Sequence, residues 1–498
     1  QNLSDSPMTK GNYEKSAEEH GLVHKLNSSI TVQQAIESCG FHKFQVVLCA
    51  ISGLSWLAMA MEIMLFAVIS PSLECEWSLS SVEQALSTTF VYLGWMVSSP
   101  FWGRVCDVRG RREGLMIASL VSFIFGILTA LTPTFYLFLA CRFGVGFGVG
   151  ALAQSVTLTA EFLPSKNRAR WLVVLKSFWA IGAAIEAAMA MVVLPTLGWR
   201  WLVALSAVPL ALFGVCSWWL PESAKFDVSR GRVVEARATL DRIARFNGRS
   251  LPEGELIAET EEPSKGFLDL LKPDYRRTTI QVWIIWMLFG LLYIGLAVYT
   301  SLLLQSTRCN DVEDIVANFN PHNFTSEITE ERVKRSGDCR LLTTDNYADI
   351  ILTTMSEVPG YILTAFAIDL IGRKATFAVG FGLFTVCSAA MAFCLPRFLI
   401  VTALFIGRST IGAVWQAGYI YTGEVYPTSL RAQGLGVASS WGRVGAMSTP
   451  IITQLLASLN LIYPAALYTA GGVLAVVISL LLPVETGMGK KKSRRSTP

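Results

Sequence analysis

The sequence predicts an all-α membrane protein: twelve transmembrane helices in two six-helix bundles. Three observations carry that prediction. Long apolar segments recur twelve times, Lys and Arg crowd into alternate links between them, and short charged motifs repeat at about half the chain length. The chain has 498 residues, 52% hydrophobic and 16% charged, against about 25% charged in ordinary soluble domains. That balance excludes a disordered or fibrous chain and argues against a soluble enzyme. Its 41 Lys and Arg against 37 Asp and Glu leave a net charge of +4, too small for a nucleic-acid surface.

Residues 1–44 form a polar N-terminal segment without the apolar core of a secretory signal. A bilayer core of about 30 Å needs roughly 20 apolar residues per helix. The segments 45–70, 84–102, 114–132, 135–160, 171–194 and 200–220 meet that need and make a first bundle over 45–220. The link 221–278 reads as short amphipathic helices, with Val233, Ala236, Leu240 and Ile243 at helical spacing. A second bundle over 279–483 follows, from 279–303, 347–369, 375–395, 398–422, 432–458 and 463–483, and a basic tail over 484–498 ends the chain.

Arg104, Arg109, Arg111 and Arg112 follow segment 2, and Lys166, Arg168 and Arg170 follow segment 4. Arg373, Lys374 and Arg431 follow segments 8 and 10, and Lys490, Lys491, Lys492, Arg494 and Arg495 lie in the tail. The link 71–83 has Glu74, Glu76 and Glu83 but no Lys or Arg. The positive-inside rule therefore places both termini and the even links in the cytoplasm. The loop 304–346 faces the extracellular or lumenal side, where thiols oxidise and sequons are glycosylated. Cys309 and Cys339 are expected to pair there, with Cys75 a competing partner, and Asn323 is the expected glycosylation site. The other seven cysteines read as core residues.

The halves repeat one another. Gly103…Asp107…Gly110-Arg111-Arg112 after segment 2 answers Asp369…Gly372-Arg373-Lys374 after segment 8. Arg142 with a glycine run answers Arg408 with Gly412, and Glu161…Pro164…Arg168 answers Glu424…Pro427…Arg431. Pro221-Glu222-Ser223 answers Pro483-Val484-Glu485-Thr486. Matches in the same order indicate duplication, the layout expected of a secondary transporter.

These motifs resemble the major facilitator superfamily, and Pro221-Glu222-Ser223 resembles its sugar-porter and organic-ion branch. Cys75-Glu76-Trp77, Phe178-Trp179-Ala180-Ile181-Gly182 and Tyr419-Ile420-Tyr421-Thr422-Gly423-Glu424 resemble the synaptic vesicle 2-related family within it. The resemblance implies a multi-pass protein of the plasma membrane or a synaptic or secretory vesicle. Where that family carries an aspartate three residues before Glu62, this chain has Met59.

Carboxylates and arginines at the helix ends are expected to bind across the two bundles and to gate the cytoplasmic side. They are Asp107, Arg111, Glu161, Arg168 and Glu222 in the first half, and Asp369, Arg373, Glu424, Arg431 and Glu485 in the second. Charges deep in the membrane face a cavity or a partner. Glu62, Glu186, Glu357 and Arg443 are the main candidates, with Lys176 nearer the cytoplasmic end and Arg142 and Arg408 nearer helix ends. Trp179, Trp286, Tyr293, Gln416 and Tyr419 are expected to complete a substrate site. Aromatic faces beside carboxylates suit an organic cation, and Arg443 suits an organic anion.

No enzyme signature, phosphate loop or metal-ligand cluster is evident, and no cofactor is expected. All four histidines lie outside the apolar segments. The expected function is secondary active or facilitative transport of a small organic ion or polar solute. The expected partners are the lipid bilayer, the solute and protons as coupling ion, in a monomer. A vesicle protein that binds or traffics partners with little transport is the alternative.

Overall fold

The computed structural model describes residues 29–257, 267–305, 342–393 and 395–486. The first half has span 1 (Lys43–Trp77), span 2 (Ser81–Arg109), span 3 (Arg111–Ala130), span 4 (Phe135–Leu152 continued by Gln154–Glu161), span 5 (Ser165–Thr196) and span 6 (Trp199–Cys216). The second half has span 7 (Pro273–Gln305), span 8 (Thr344–Met355 continued by Glu357–Leu370), span 9 (Arg373–Ala390), span 10 (Arg397–Val425), span 11 (Thr428–Leu459) and span 12 (Ile462–Leu481). Among the described residues, nine of these helices are long and apolar enough to cross a bilayer by composition alone. Spans 2, 9 and 11 fall short. Span 2 buries Gln84, Ser87, Thr88 and Thr89, and span 11 carries Arg443 with buried Thr449 and Thr453, polar groups a lipid-facing helix would not hold.

Local chemistry sets the helix ends. Ser80 caps span 2 by accepting from the Glu83 amide, while the Glu83 carboxylate accepts from the Ser80 amide at 2.9 Å. Spans 2 and 3 meet at Gly110, and spans 8 and 9 at Gly372, where φ is 110° and 85°. Only glycine adopts such angles without strain, so both hinge positions follow from backbone sterics.

Within the first bundle span 1 packs on spans 5 and 6, span 2 on span 4, and span 3 on spans 4 and 6. Within the second, span 7 packs on span 11, and span 9 on spans 10 and 12. Small residues allow the closest approaches. A Cβ on Gly146 of span 4 would collide with the Val91 carbonyl of span 2, and one on Gly290 of span 7 with the Gly442 carbonyl of span 11. Gly146→Ala is therefore expected to destabilise the first bundle by about 1–3 kcal/mol, because a backbone carbonyl cannot swing aside. Thermal unfolding of the purified chain checks this; an unchanged midpoint would contradict it.

The bundles meet where span 2 lies on span 11, span 5 on span 8, and span 1 touches span 7. One end of the molecule, here the Gly110 face, gathers the link between spans 6 and 7. There Ser29–Thr31 pairs in parallel with Glu255–Ile257, and the helix Val32–Cys39 lies against the helix Val233–Phe246. The latter buries Ala236, Leu240 and Ile243. Asn247 accepts from the Phe44 amide at 3.0 Å and donates to Gln45 at 3.0 Å, tying the link to the start of span 1. Residues 29–39 therefore have regular structure within what the sequence presents as a plain polar segment. Cys309, Cys339 and Asn323 lie outside the described residues.

Candidate functional site between the bundles

Span 1 carries Glu62 at mid-helix with no exposure. Arg142 of span 4 donates to its carboxylate at 2.8 Å and to its backbone carbonyl at 2.6 Å. Glu186 of span 5 accepts from the Ser206 hydroxyl at 2.7 and 2.9 Å, within the electrostatic field of Glu62 and Arg142. Two carboxylates thus face one guanidinium in the first bundle.

The second bundle repeats the plan. Arg408 of span 10 donates to Glu357 at 3.2 Å. Glu357 opens the second segment of span 8 and also accepts from the Tyr293 hydroxyl at 2.9 and 3.0 Å and from the Tyr361 hydroxyl at 2.9 Å. Tyr293 in turn accepts from the Trp179 indole at 2.6 Å, a bond that crosses from span 7 to span 5.

Arg142 and Arg408, expected near the helix ends, are thus deep partners, 1% and 3% exposed. The sequence signal was present in their matching positions within the repeat. Nor do the deep carboxylates stand free in a cavity: Glu62 and Glu357 each have an arginine of their own bundle, and Glu186 has the Ser206 hydroxyl.

Among the described residues, two cations without a salt-bridge partner occupy the interface instead. Lys176 of span 5 sits over the Trp56 ring of span 1 at 3.4 Å from its centroid and over the Tyr419 ring of span 10 at 4.5 Å. Arg443 of span 11 lies over the Trp95 ring of span 2 at 5.1 Å, and its charge also reaches Tyr419. Each cation therefore touches an aromatic ring of the opposite bundle. Trp286 meets Tyr419 edge-on at 4.7 Å and donates to Thr422 at 3.0 Å, and Trp415 packs edge-on against Tyr293 at 5.2 Å. Gln416 is half-buried on span 10 and joins none of these contacts. Trp56 and Trp95, which sequence reasoning passed over, complete the set; nothing in an apolar helix distinguishes such tryptophans from packing residues. Elsewhere between the bundles, two voids that share Met64, Ala67 and Ala297 in their walls are each about 10 Å³, about the room of one water.

The charges at the Gly110 face correct the expectation that they join the bundles. Arg111 pairs with Glu161, which also accepts from Ser223, so spans 3 and 4 and the segment that follows span 6 are joined within the first half. Glu222 accepts from the Arg111 and Arg112 amides at 2.8 and 3.2 Å, capping span 3 from the end of span 6. Burial raises the Glu222 carboxyl above its ordinary value despite these bonds. In the second bundle Arg373 grips Glu424 through two bonds of 2.9 Å, and Glu485 accepts from the Arg373 and Lys374 amides at 2.7 and 3.3 Å. Asp369 lies 3.8 Å from Arg373 on the same chain turn. Arg168 donates to Gln33 at 2.9 Å and to the Leu163 carbonyl, while Asp107 and Arg431 are exposed. The repeated arrangement rigidifies each bundle rather than latching one to the other. Glu222→Ala is expected to cost about 1.5–3 kcal/mol through the two lost charge-assisted bonds. Thermal unfolding with and without the substitution checks this, and a loss under about 0.5 kcal/mol, the range of an ordinary surface substitution, would contradict it.

Comparison with known proteins extends the picture. Residues 20–312 match the family model described as sugar (and other) transporter, and residues 350–497 match that of the major facilitator superfamily. The chain is 43% identical over 462 residues to the putative transporter svop-1 of Caenorhabditis elegans, covering 92% of this chain and 86% of that protein. It is 42% identical over 473 residues to the synaptic vesicle 2-related protein of Xenopus laevis, covering 95% and 84%. Among solved structures, the inward-open xylose transporter XylE from E. coli superposes with a TM-score of 0.67 at 15% identity, covering 89% of this chain and 98% of that one.

Proposed function

The chain belongs to the major facilitator superfamily, and from that premise we propose that it carries a small organic ion or other polar solute across a bilayer by alternating access. The observation that carries the proposal is where the strong bonds lie. Glu62–Arg142, Glu357–Arg408, Arg111–Glu161 and Arg373–Glu424 all fall inside one bundle. Across the interface stand cation–aromatic contacts and lone hydrogen bonds such as Trp179–Tyr293 and Thr89–Met447. Two rigid bodies joined by weak contacts are what rocking requires.

Charge balance gives the coupling reading. Glu62, Glu186 and Arg142 together carry one negative charge in excess when all are ionised, and low dielectric penalises an uncompensated charge. A proton on one carboxylate restores neutrality, and its loss and return would couple a pH gradient to movement. A solved neighbour is described as a proton:xylose symporter, which supports coupling of this kind.

The sidedness follows the positive-inside rule, with both termini and the Gly110 face cytoplasmic. The names of the relatives support a vesicle membrane. Loop 304–346 is then lumenal, glycosylated at Asn323 and braced by a disulfide. An oxidising lumen supports that brace, with Cys309 and Cys339 as the pair and Cys75 of the same side as a competing partner. The working unit is a monomer.

Uptake of labelled anionic, cationic and neutral organic solutes into proteoliposomes, with and without an inward proton gradient, tests the proposal. Saturable uptake lost in Glu62→Gln supports it. No uptake of any of them in correctly folded protein would leave the binding or trafficking reading.

A further inference from the structure

We propose that the cleft between the bundles holds a subsite for an organic anion with a flat apolar body, gripped by Lys176 and Arg443. The inference deepens the transport reading above and rests on it only for the statement that the occupant is cargo.

The argument is one of donors without acceptors. Among the described residues no carboxylate lies in ion-pair range of Lys176 or Arg443, although every other deep charge described above has an oppositely charged or hydroxyl partner. Lys176 of the first bundle stands over the Tyr419 ring of the second, and Arg443 of the second stands over the Trp95 ring of the first, so the two cations address the interface from opposite bundles. Around it the indole N–H groups of Trp56 and Trp95 are buried without a hydrogen-bond partner, as is the Tyr92 hydroxyl. Trp56 is 7% exposed and Tyr92 3%. Lysine, arginine and indole groups donate and cannot accept. Buried indole donors beside two half-buried cations are satisfied by a ligand rich in acceptors, and the two cations make that ligand an anion. The faces of Trp56, Tyr419 and Trp95 supply flat apolar walls for a ring or planar chain.

Organic cations fit poorly. Of the carboxylates that could attract one, Glu62 and Glu357 are bonded to Arg142 and Arg408 and Glu186 to the Ser206 hydroxyl, while Lys176 and Arg443 at the interface repel it. A neutral sugar would meet the donors, but its hydroxyls do not compensate two charges.

An anion that neutralises both cations also bridges the bundles, because Lys176 belongs to span 5 and Arg443 to span 11. Binding would then favour the conformation in which spans 5 and 11 approach, which ties occupancy to the rocking equilibrium.

The test uses the purified full-length chain and four matched probes: benzoate, phthalate, the neutral isostere benzamide and the cation benzyltrimethylammonium. Benzoate and phthalate are expected to raise the unfolding midpoint and to quench tryptophan fluorescence, with benzamide and the cation inert. Arg443→Gln and Lys176→Met should each weaken benzoate binding about 10–100-fold, the worth of a charge-assisted bond, and Arg443→Lys should weaken it less. Selectivity among the probes on the unaltered chain needs no variant, so a misfolded variant does not spare the proposal. Stabilisation by the cation, equal response to benzamide, no response to either anion, or benzoate binding that survives in both variants would overturn it. Uptake of a neutral or cationic solute alongside such a result leaves transport standing and removes the anion site. Anion binding without uptake of any solute does the reverse.

Discussion

Arg142→Met is expected to be the most damaging single substitution outside backbone breakers, with a loss of about 3–5 kcal/mol or more and no uptake. The guanidinium gives Glu62 its bond of 2.8 Å and a second, 2.6 Å, to the Glu62 carbonyl. Without it, Glu62 and Glu186 remain as two carboxylates in a space with no exposure. Both must then be protonated or the bundle must open, and either outcome removes the charge balance that a coupled cycle needs. Glu62→Gln in the same chain is expected to recover much of the stability and none of the coupled uptake, because an amide removes the stranded charge without replacing the ion pair. Unfolding midpoints of the two single variants and the double variant, read as a cycle, check the pairing. Strict additivity would mean that the two side chains do not interact.

Arg408→Met is expected to cost less, about 2–3 kcal/mol, although the two arginines occupy matching places in the repeat. The difference lies in what remains. Glu357 keeps the Tyr293 and Tyr361 hydroxyls at 2.9 Å, whereas among the described residues no tyrosine is bonded to Glu62. The transport effect is expected to be the larger part. Tyr293 links Glu357 to Trp179 across the bundles at 2.6 Å, so a change in the Glu357 charge is felt at the interface. Tyr293→Phe removes that link and leaves Arg408 on Glu357. It should therefore change uptake while moving the midpoint less than Arg408→Met does. Equal losses of stability at Arg142 and Arg408 would contradict this account of the asymmetry.

The twelve-span plan was legible because apolar length and one-sided charge are properties of a single helix, readable without knowing its neighbours. Pairing is not. Arg111, Glu161 and Glu222 are singled out by the repeated motifs, yet spacing along a chain does not say which helix ends meet. They meet inside one bundle. Arg142 shows the same limit in depth. It lies eight residues into the segment 135–160 and reads as nearer an end, but its long side chain meets the mid-helix Glu62 of span 1, a contact that spacing within one helix does not reveal. The cleft was half visible: Arg443, Tyr419 and Trp179 were picked out by type and depth, while Trp56 and Trp95 became apparent only when their rings were seen under the two cations.

The central claim is that two rigid bundles rock about an interface of weak contacts. Paired spin labels read it most directly: one pair at Val108 and Arg431 on the Gly110 face, the other at Tyr136 and Leu459 on the opposite face, all exposed positions. Distance distributions by double electron–electron resonance in lipid nanodiscs should show two populations for each pair, shifting in opposite senses when the pH changes or benzoate is added. A single distance for both pairs under every condition would contradict alternating access in this molecule.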